Sequence, residues 1–207
     1  MTKQAPVDTT CLFGVAGSPR PEGNSTSLLA EAAAGAAACG ARTEVVRLND
    51  LQYAGCQACD RCQTGRACPV HDDLTPVVAM AREADVLLLA SPIYYDGVTG
   101  QMKLFFDRCR AHAHPEPARR RTGRRAAGII ITYEDKPRAD YRRVAEVLAG
   151  YLGWWGDYGT VKILAGARLG PVGAVRQRPE LLAEAHDMGR TLVEELTARR
   201  AAAGPPG

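Results

Sequence analysis

The 207-residue chain has no stretch approaching the ~18 consecutive apolar residues of a membrane-spanning helix. Its opening residues, Met-Thr-Lys-Gln-Ala-Pro-Val-Asp, hold no apolar run like that of a secretory leader. It has no charge surplus: 26 Lys and Arg against 23 Asp and Glu leave +3, too little to argue for nucleic acid or a membrane surface. The Gly-Lys-Ser/Thr of a Walker loop is absent, as is the G-x-G-x-x-G of a dinucleotide fingerprint. His71, His112, His114 and His186 show no metal-binding spacing among themselves, and no internal repeat or second domain is visible. What is left is a cytoplasmic globular chain, 46% hydrophobic and 24% charged, whose length suits one domain over 1–207.

Cysteine is what the chain does have. In a reducing compartment seven cysteines argue for metal or redox roles ahead of disulfides. Cys11, Cys39 and Cys109 stand singly in apolar surroundings and read as ordinary buried thiols. Cys56, Cys59, Cys62 and Cys68 fall within thirteen residues, a C-x2-C-x2-C-x5-C run that ends in Pro69 inside a loop over 55–69. The first three are spaced as a ferredoxin-type loop wraps an iron–sulfur cube. Zinc sites also use C-x-x-C, but usually place the second pair a dozen or more residues away. Three readings stay open: a 4Fe–4S cluster, zinc, or thiols. On the thiol reading Cys59 and Cys62 form the redox pair, activated by nearby Arg61 and Arg66.

Around that loop the pattern alternates. Cys11–Ala16, Thr43–Leu48, Asp85–Ala90, Gly128–Thr132 and Thr160–Leu164 are short apolar or β-branched runs that read as strands. Helices are expected from Ser27 to about Cys39, from Asp72 or Asp73 to Glu83, from Gly100 to about Arg110, from about Asp140 to Leu152, and from Glu180 to about Arg200. Asp85–Ala90 is apolar on both faces, as parallel strands covered by helices are. The expected fold is α/β: a five-stranded parallel doubly wound sheet with helices on both faces. The segment from Pro115 to Arg125 is expected as a basic connecting loop, and 201–207 as a frayed tail.

Ligands of such sheets collect at the carboxyl ends of the strands. The loop after the first strand, Gly17-Ser18-Pro19-Arg20-Pro21-Glu22-Gly23-Asn24-Ser25-Thr26-Ser27, sets hydroxyls, an amide and a guanidinium ahead of a helix N-terminus, a phosphate-binding arrangement. The alternative is an ordinary turn capped by Ser25 or Ser27. With the cysteine run leading into Asp72-Asp73-Leu74, and Ser91-Pro92-Ile93-Tyr94-Tyr95-Asp96-Gly97 followed by Gln101-Met102-Lys103-Leu104 and Asp107-Arg108, this loop completes a pattern. The pattern resembles the flavodoxin-like NAD(P)H-dependent FMN reductase superfamily, in its iron–sulfur flavoprotein branch, over roughly residues 11–110.

The resemblance implies an FMN oxidoreductase that takes electrons from NAD(P)H and passes them to a quinone, a flavin, an aromatic or a partner protein. It implies that Ser18, Arg20, Asn24, Ser25 and Thr26 hold the FMN phosphate, and that Pro92, Ile93, Tyr94, Tyr95 and Gly97 border the flavin ring. It implies a 4Fe–4S cluster on Cys56, Cys59, Cys62 and Cys68, and a homodimer or homotetramer. The fourth strand end departs from the pattern: Thr132-Tyr133-Glu134-Asp135-Lys136-Pro137 stands where relatives often carry a glycine-rich turn, so the acidic residues either alter the flavin contacts or point away and leave them to Thr132 and Tyr133. The other functional readings are a flavin and iron–sulfur electron carrier with little nicotinamide turnover, or a thiol–disulfide redox protein. Arg119, Arg120, Arg121, Arg124 and Arg125 are expected on a solvated loop, His112 and His114 at the surface, and Trp154 and Trp155 over the core or a subunit contact.

Overall fold

The structure, a computed structural model, describes residues 9–113, 121–135 and 139–203. Five strands run parallel: β1 (Cys11–Ala16), β2 (Arg42–Arg47), β3 (Val86–Tyr94), β5 (Arg121–Thr132) and β6 (Gly156–Gly166). A short β4 (Gly97–Val98) pairs antiparallel with β3. The order across the sheet is β2-β1-β3-β5-β6. With β4 set aside this is 2-1-3-4-5, the flavodoxin-like order, whose switch point lies between β1 and β3. A ligand is therefore expected above Ala16 and Ala90, which are register partners.

The two faces of the sheet are filled separately. Leu12, Ala16, Val86, Leu88, Ala90 and Ile130 pack with α1 (Asn24–Ala38) and α5 (Pro179–Ala203). Phe13, Val15, Leu87, Leu89, Ile129 and Ile131 pack with α2 (Leu74–Glu83), α3 (Gly100–Arg108) and α4 (Ala139–Leu152). Successive strand residues point to opposite faces, and both faces are covered, so the runs are apolar throughout. Helices α1 and α5 cross at backbone contact: a Cβ on Gly35 would collide with the His186 carbonyl, and one on Gly189 with the Ala32 carbonyl.

Several boundaries differ from expectation, each for a local reason. Helix α1 starts at Asn24 with Gly23 as N-cap, so Ser25 and Ser27 lie inside the helix and neither caps it. The segment after Ala90 is not a loop: β3 continues to Tyr94 and turns back through Tyr95 and Asp96 into β4. The frayed tail is shorter than expected, since α5 continues to Ala203, and 204–207 lie outside the described residues.

The largest correction concerns the arginines. Arg121, Arg124 and Arg125 belong to β5, while Arg119 and Arg120 lie outside the described residues. Arg125 is fully buried; its guanidinium donates to the carbonyls of Ala84 (2.9 Å) and Ala81 (2.7 Å) and stacks over the Tyr158 ring at 4.2 Å. Those carbonyls end α2, where a cation meets both the orphan acceptors and the negative pole of the helix. Arg124 donates to the Arg199 carbonyl of α5 at 2.9 Å.

Candidate functional site

The loop between β1 and α1 closes on itself and on α3. Ser18 is buried and its hydroxyl accepts from the Arg20 amide at 3.1 Å. A Cβ on Gly23 would fall onto the Ser18 hydroxyl, so only glycine lets the loop fold this tightly ahead of α1. Thr99, absent from the sequence expectations, joins the two strand ends: its hydroxyl donates to the Gly17 carbonyl at 2.7 Å and accepts from the Met102 amide, capping α3. Its amide donates to the Ser91 hydroxyl at 3.1 Å. A Thr three residues after the hairpin turn and immediately before a helix is an N-cap signal that was available in the chain.

The expected phosphate ligands separate into two kinds. Asn24 is committed elsewhere: its side-chain amide donates to the carbonyls of Leu169 (2.8 Å) and Pro171 (2.9 Å), and its oxygen accepts from the Val175 amide at 3.1 Å. It ties α1 to the segment after β6. Ser25 Oγ and Thr26 Oγ1 are buried and have no hydrogen-bond partner, a costly state for two hydroxyls at a helix N-terminus. Arg20, in the loop just ahead of α1, is exposed. Two orphan hydroxyls, a guanidinium and the first-turn amides of α1 fit a phosphate group.

The hairpin after β3 holds the expected ring contacts. Pro92, Ile93 and Gly97 are half-buried, Tyr94 is 41% exposed, and Tyr95 stands wholly in solvent. Tyr95 (φ +48°) and Asp96 (φ +59°) both adopt the left-handed conformation, as a two-residue turn of this hand requires. Neither is glycine, so the turn carries strain of the order of 1 kcal/mol or more per residue. At the end of β5, Thr132 is buried and Tyr133 packs edge-on to Tyr141 with centroids 4.8 Å apart. Glu134 and Asp135 point outward, and the Asp135 carboxylate accepts from the Tyr141 hydroxyl at 3.0 Å.

The four clustered cysteines line one small cavity of about 30 Å³. All seven cysteines of the chain are free thiols. Among the described residues no three His, Cys, Asp or Glu side chains are arranged to hold a single metal ion. A lone zinc needs its thiolates within ~4 Å of one another, given Zn–S bonds of ~2.3 Å. A cluster spreads the same four ligands over its own larger body. Four thiols around one shared cavity are the kind of donor set that either group uses. Ala58 (φ +51°) and Asp60 (φ +55°) flank Cys59 in the left-handed conformation, and Arg61 opens a 3-10 turn. Alternation of this kind turns successive N–H groups into one concavity that favours negative charge.

A clasp sets the feet of that loop. Arg108, 3% exposed in its side chain, pairs with Asp72 at 2.7 Å and donates to the carbonyls of Ala54 (3.0 Å) and Val70 (3.1 Å). Asp72 in turn accepts from the amides of Ala54 (3.0 Å) and Leu74 (3.1 Å). Burial pushes the Asp72 carboxyl up, but the Arg108 guanidinium and those two amides outweigh it and hold the group below its ordinary value. Besides Arg108, the cation that lines the cysteine cavity is Arg110, not Arg61 or Arg66. It pairs with Asp60 at 2.7 Å, and that carboxylate, with help from the Cys62 and Cys56 thiols, raises it above the usual guanidinium value. Arg108 and Arg110 lie on or just beyond α3, some forty residues past the loop, a separation that hid their contacts with it from local reading.

Three single residues also differ from expectation. Cys11 is half-buried and accepts from Arg42 at 3.2 Å, and Cys39 is exposed; of the three lone thiols only Cys109 is buried. His112 is buried, with Nε2 3.0 Å from the Val78 carbonyl and its ring edge-on to Trp155. Burial lowers its pKa to about 3, so the ring is neutral. Trp155 is buried against Phe106, whereas Trp154 is 59% exposed. His114 lies outside the described residues.

Comparison with known proteins adds to this geometry. A family model described as NADPH-dependent FMN reductase matches residues 11–146. The chain is 40% identical over 99 residues to an iron–sulfur flavoprotein of Methanocaldococcus jannaschii, covering 48% of this chain and 51% of that protein. It is 32% identical over 141 residues to an iron–sulfur flavoprotein of Archaeoglobus fulgidus, covering 67% of this chain and 59% of that protein. The matches thus span only about half the length of these curated relatives. Among solved structures, an NAD(P)H:quinone oxidoreductase from Methanothermobacter marburgensis superposes with a TM-score of 0.70 at 18% identity, covering 89% of this chain and 99% of that one. A flavone reductase superposes with a TM-score of 0.67 at 17% identity, over 91% and 63%. At such identities the superpositions establish the fold. Among the described residues no helix is long and apolar enough to cross a membrane.

Proposed function

The chain belongs to the NADPH-dependent FMN reductase family, and from that premise we propose that it is a cytoplasmic FMN oxidoreductase taking electrons from NAD(P)H and passing them to a small organic acceptor or a redox partner protein. One observation carries the reading: the buried, unpartnered hydroxyls of Ser25 and Thr26 at the start of α1, the switch-point position. A phosphate brings the acceptor oxygens these hydroxyls lack, and Arg20 adds a counter-charge. Ser18 keeps the loop closed, and Asn24 holds α1 against the 169–175 segment so that its first turn faces the ligand. Bound FMN supplies a ring that accepts hydride from nicotinamide and releases electrons singly or in pairs. Pro92, Ile93 and Gly97 border that ring on one side, Tyr94 and Tyr95 offer stacking surface, and Thr132 and Tyr133 close the far strand end.

The same reading assigns Cys56, Cys59, Cys62 and Cys68 to a 4Fe–4S cluster, supported by their common cavity and by the iron–sulfur relatives. The Arg108–Asp72 clasp holds the loop ends, and Arg110 offsets part of the thiolate charge. A homodimer or homotetramer completes the proposal, on the exposure of Tyr94, Tyr95 and Trp154. The test is anaerobic purification followed by FMN, iron and zinc analysis, with about one FMN and about four irons per chain and no zinc expected. A chain that takes up no FMN even when titrated with it would falsify the reading. Zinc in place of iron would remove the cluster alone.

A further inference from the structure

The tip of the cysteine loop is fastened to residue 110 twice. The Arg110 guanidinium pairs through Nη2 with Asp60 at 2.7 Å, and the Arg110 carbonyl accepts from the Gln63 side-chain amide at 2.9 Å. Asp60 precedes the 3-10 turn Arg61–Thr64 and Gln63 lies within it, so the two fastenings stand on either side of Cys62. Gln63 Nε2 also lies 3.7 Å from the Cys62 sulfur, within reach of a donor to that larger atom. A primary amide carries two N–H groups, enough to serve the carbonyl and the sulfur together. Three charged side chains line the cysteine cavity: Arg108, Asp60 and Arg110. Arg108 is buried and spent on its clasp with Asp72. Asp60 and Arg110 are 61% and 52% exposed in their side chains, opposite in sign and paired with each other.

We propose that Arg110, Asp60 and Gln63 set the reduction potential of the cluster on Cys56, Cys59, Cys62 and Cys68, the guanidinium and the amide raising it and the carboxylate opposing them. The inference rests on the 4Fe–4S assignment and goes beyond it, to what these three side chains do to the bound group. A cluster held by four thiolates is anionic and gains a further negative charge on reduction, so its potential follows the net charge and the hydrogen bonds around its sulfurs. A cation or an N–H donor favours the reduced form, and a carboxylate the oxidised one. Arg110 acts through both of its ends: its guanidinium faces the cavity, and its carbonyl holds the Gln63 amide beside the Cys62 sulfur. An exposed ion pair contributes little to stability, and the Arg108–Asp72 clasp already holds the feet of the loop. What the pair changes is the field in the cavity, moderated by solvent because both side chains are open to it.

The test is an anaerobic redox titration of the iron-loaded protein with dithionite and mediator dyes, one electron per cluster, with the reduced fraction read by EPR. Arg110→Gln lowers the equilibrium constant for that reduction about threefold or more, about 28 mV at ~59 mV per tenfold. Asp60→Asn, which keeps a residue that tolerates the left-handed backbone there (φ +55°), raises it by a similar factor. Gln63→Leu lowers it by removing the amide donor. The opposite signs decide the matter: both charge changes break the same ion pair, and a merely structural tie would answer to both alike. Shifts of one sign in the two charge variants, no shift in any variant, or loss of iron from both charge variants overturns the proposal. Iron and FMN content of the same samples keep the parent reading separate. A wild-type chain with FMN but no iron loses the cluster assignment and this inference with it, whereas about four irons per chain with unmoved potentials defeats the inference alone.

Discussion

Three consecutive residues at the start of α1 divide between a side chain that holds the fold and two hydroxyls left without partners. Asn24 spends its amide on three backbone groups of the 169–175 segment, all at 2.8–3.1 Å. Asn24→Ala leaves those groups unpaired in a buried place, and a loss of about 3 kcal/mol is expected in urea unfolding. Ser25→Ala with Thr26→Ala removes hydroxyls that bond to nothing in the free protein, so stability should stay within about 1 kcal/mol of wild type. FMN affinity should instead fall about tenfold or more, read by quenching of flavin fluorescence. A fall in stability without a fall in affinity would reverse the two assignments. His112 gives a pH signature. Its folded pKa of about 3 lies below the unfolded value near 6.5, so between those limits the unfolded chain binds the extra proton and stability drops as pH falls. The slope is about 1.4 kcal/mol per pH unit. Replacing the ring by His112→Gln should remove that component, seen as a shallower fall in unfolding free energy between pH 6.5 and 5. Asp72 acts lower still: its depressed pKa contributes stability above the ordinary carboxylate range, lost as the pH drops through the folded value.

At the level of elements, the cysteine loop is an insertion held at its base. Arg108 reaches Ala54, Val70 and Asp72 from two separate nitrogens, Nη1 and Nη2, a spread that the single nitrogen of an ammonium lacks. Arg108→Lys should therefore lower the iron-to-FMN ratio of anaerobically purified protein while FMN content per chain holds. Breaking the buried pair is also expected to cost about 3 kcal/mol. Equal loss of iron and FMN would mean that the clasp supports the whole domain and not the loop. The α1–α5 crossing sets a different limit. Gly189 lies against the Ala32 carbonyl, and Gly189→Leu must force two helices apart across one face of the sheet. Expression in insoluble form, or a loss of about 3 kcal/mol or more, is the expected outcome. The packing also explains why these helices were legible but their contact was not. Alanine-rich helical spacing in α1 is local, whereas the glycine at 189 makes sense only against a carbonyl some 150 residues earlier.

At the scale of the whole molecule, a ligand that binds only the folded state stabilises it by mass action. FMN at a hundredfold excess over its dissociation constant should add about 2.7 kcal/mol. Riboflavin, lacking the phosphate that Ser25 and Thr26 are proposed to hold, should raise the melting temperature much less; equal shifts would place recognition in the ring alone. Much of this molecule was readable along the chain. Strand runs apolar on both faces called for a two-sided parallel sheet, turn residues marked the loop after β1, and the cysteine spacing marked one compact thiol-bearing loop, because each signal is carried by neighbours in sequence. Other features depend on residues that meet only when the sheet is built. Arg125 looked like a solvated cation until α2 presented its final carbonyls, and His112 like a surface histidine until Trp155 covered it. Asn24 looked like a phosphate ligand until the segment after β6 arrived to engage it. Local sequence determined the elements, the fold class and the chemistry on offer. Tertiary structure decided which polar side chains were consumed in holding the fold and which stayed open, because a hydrogen bond depends on distance in space, not separation along the chain.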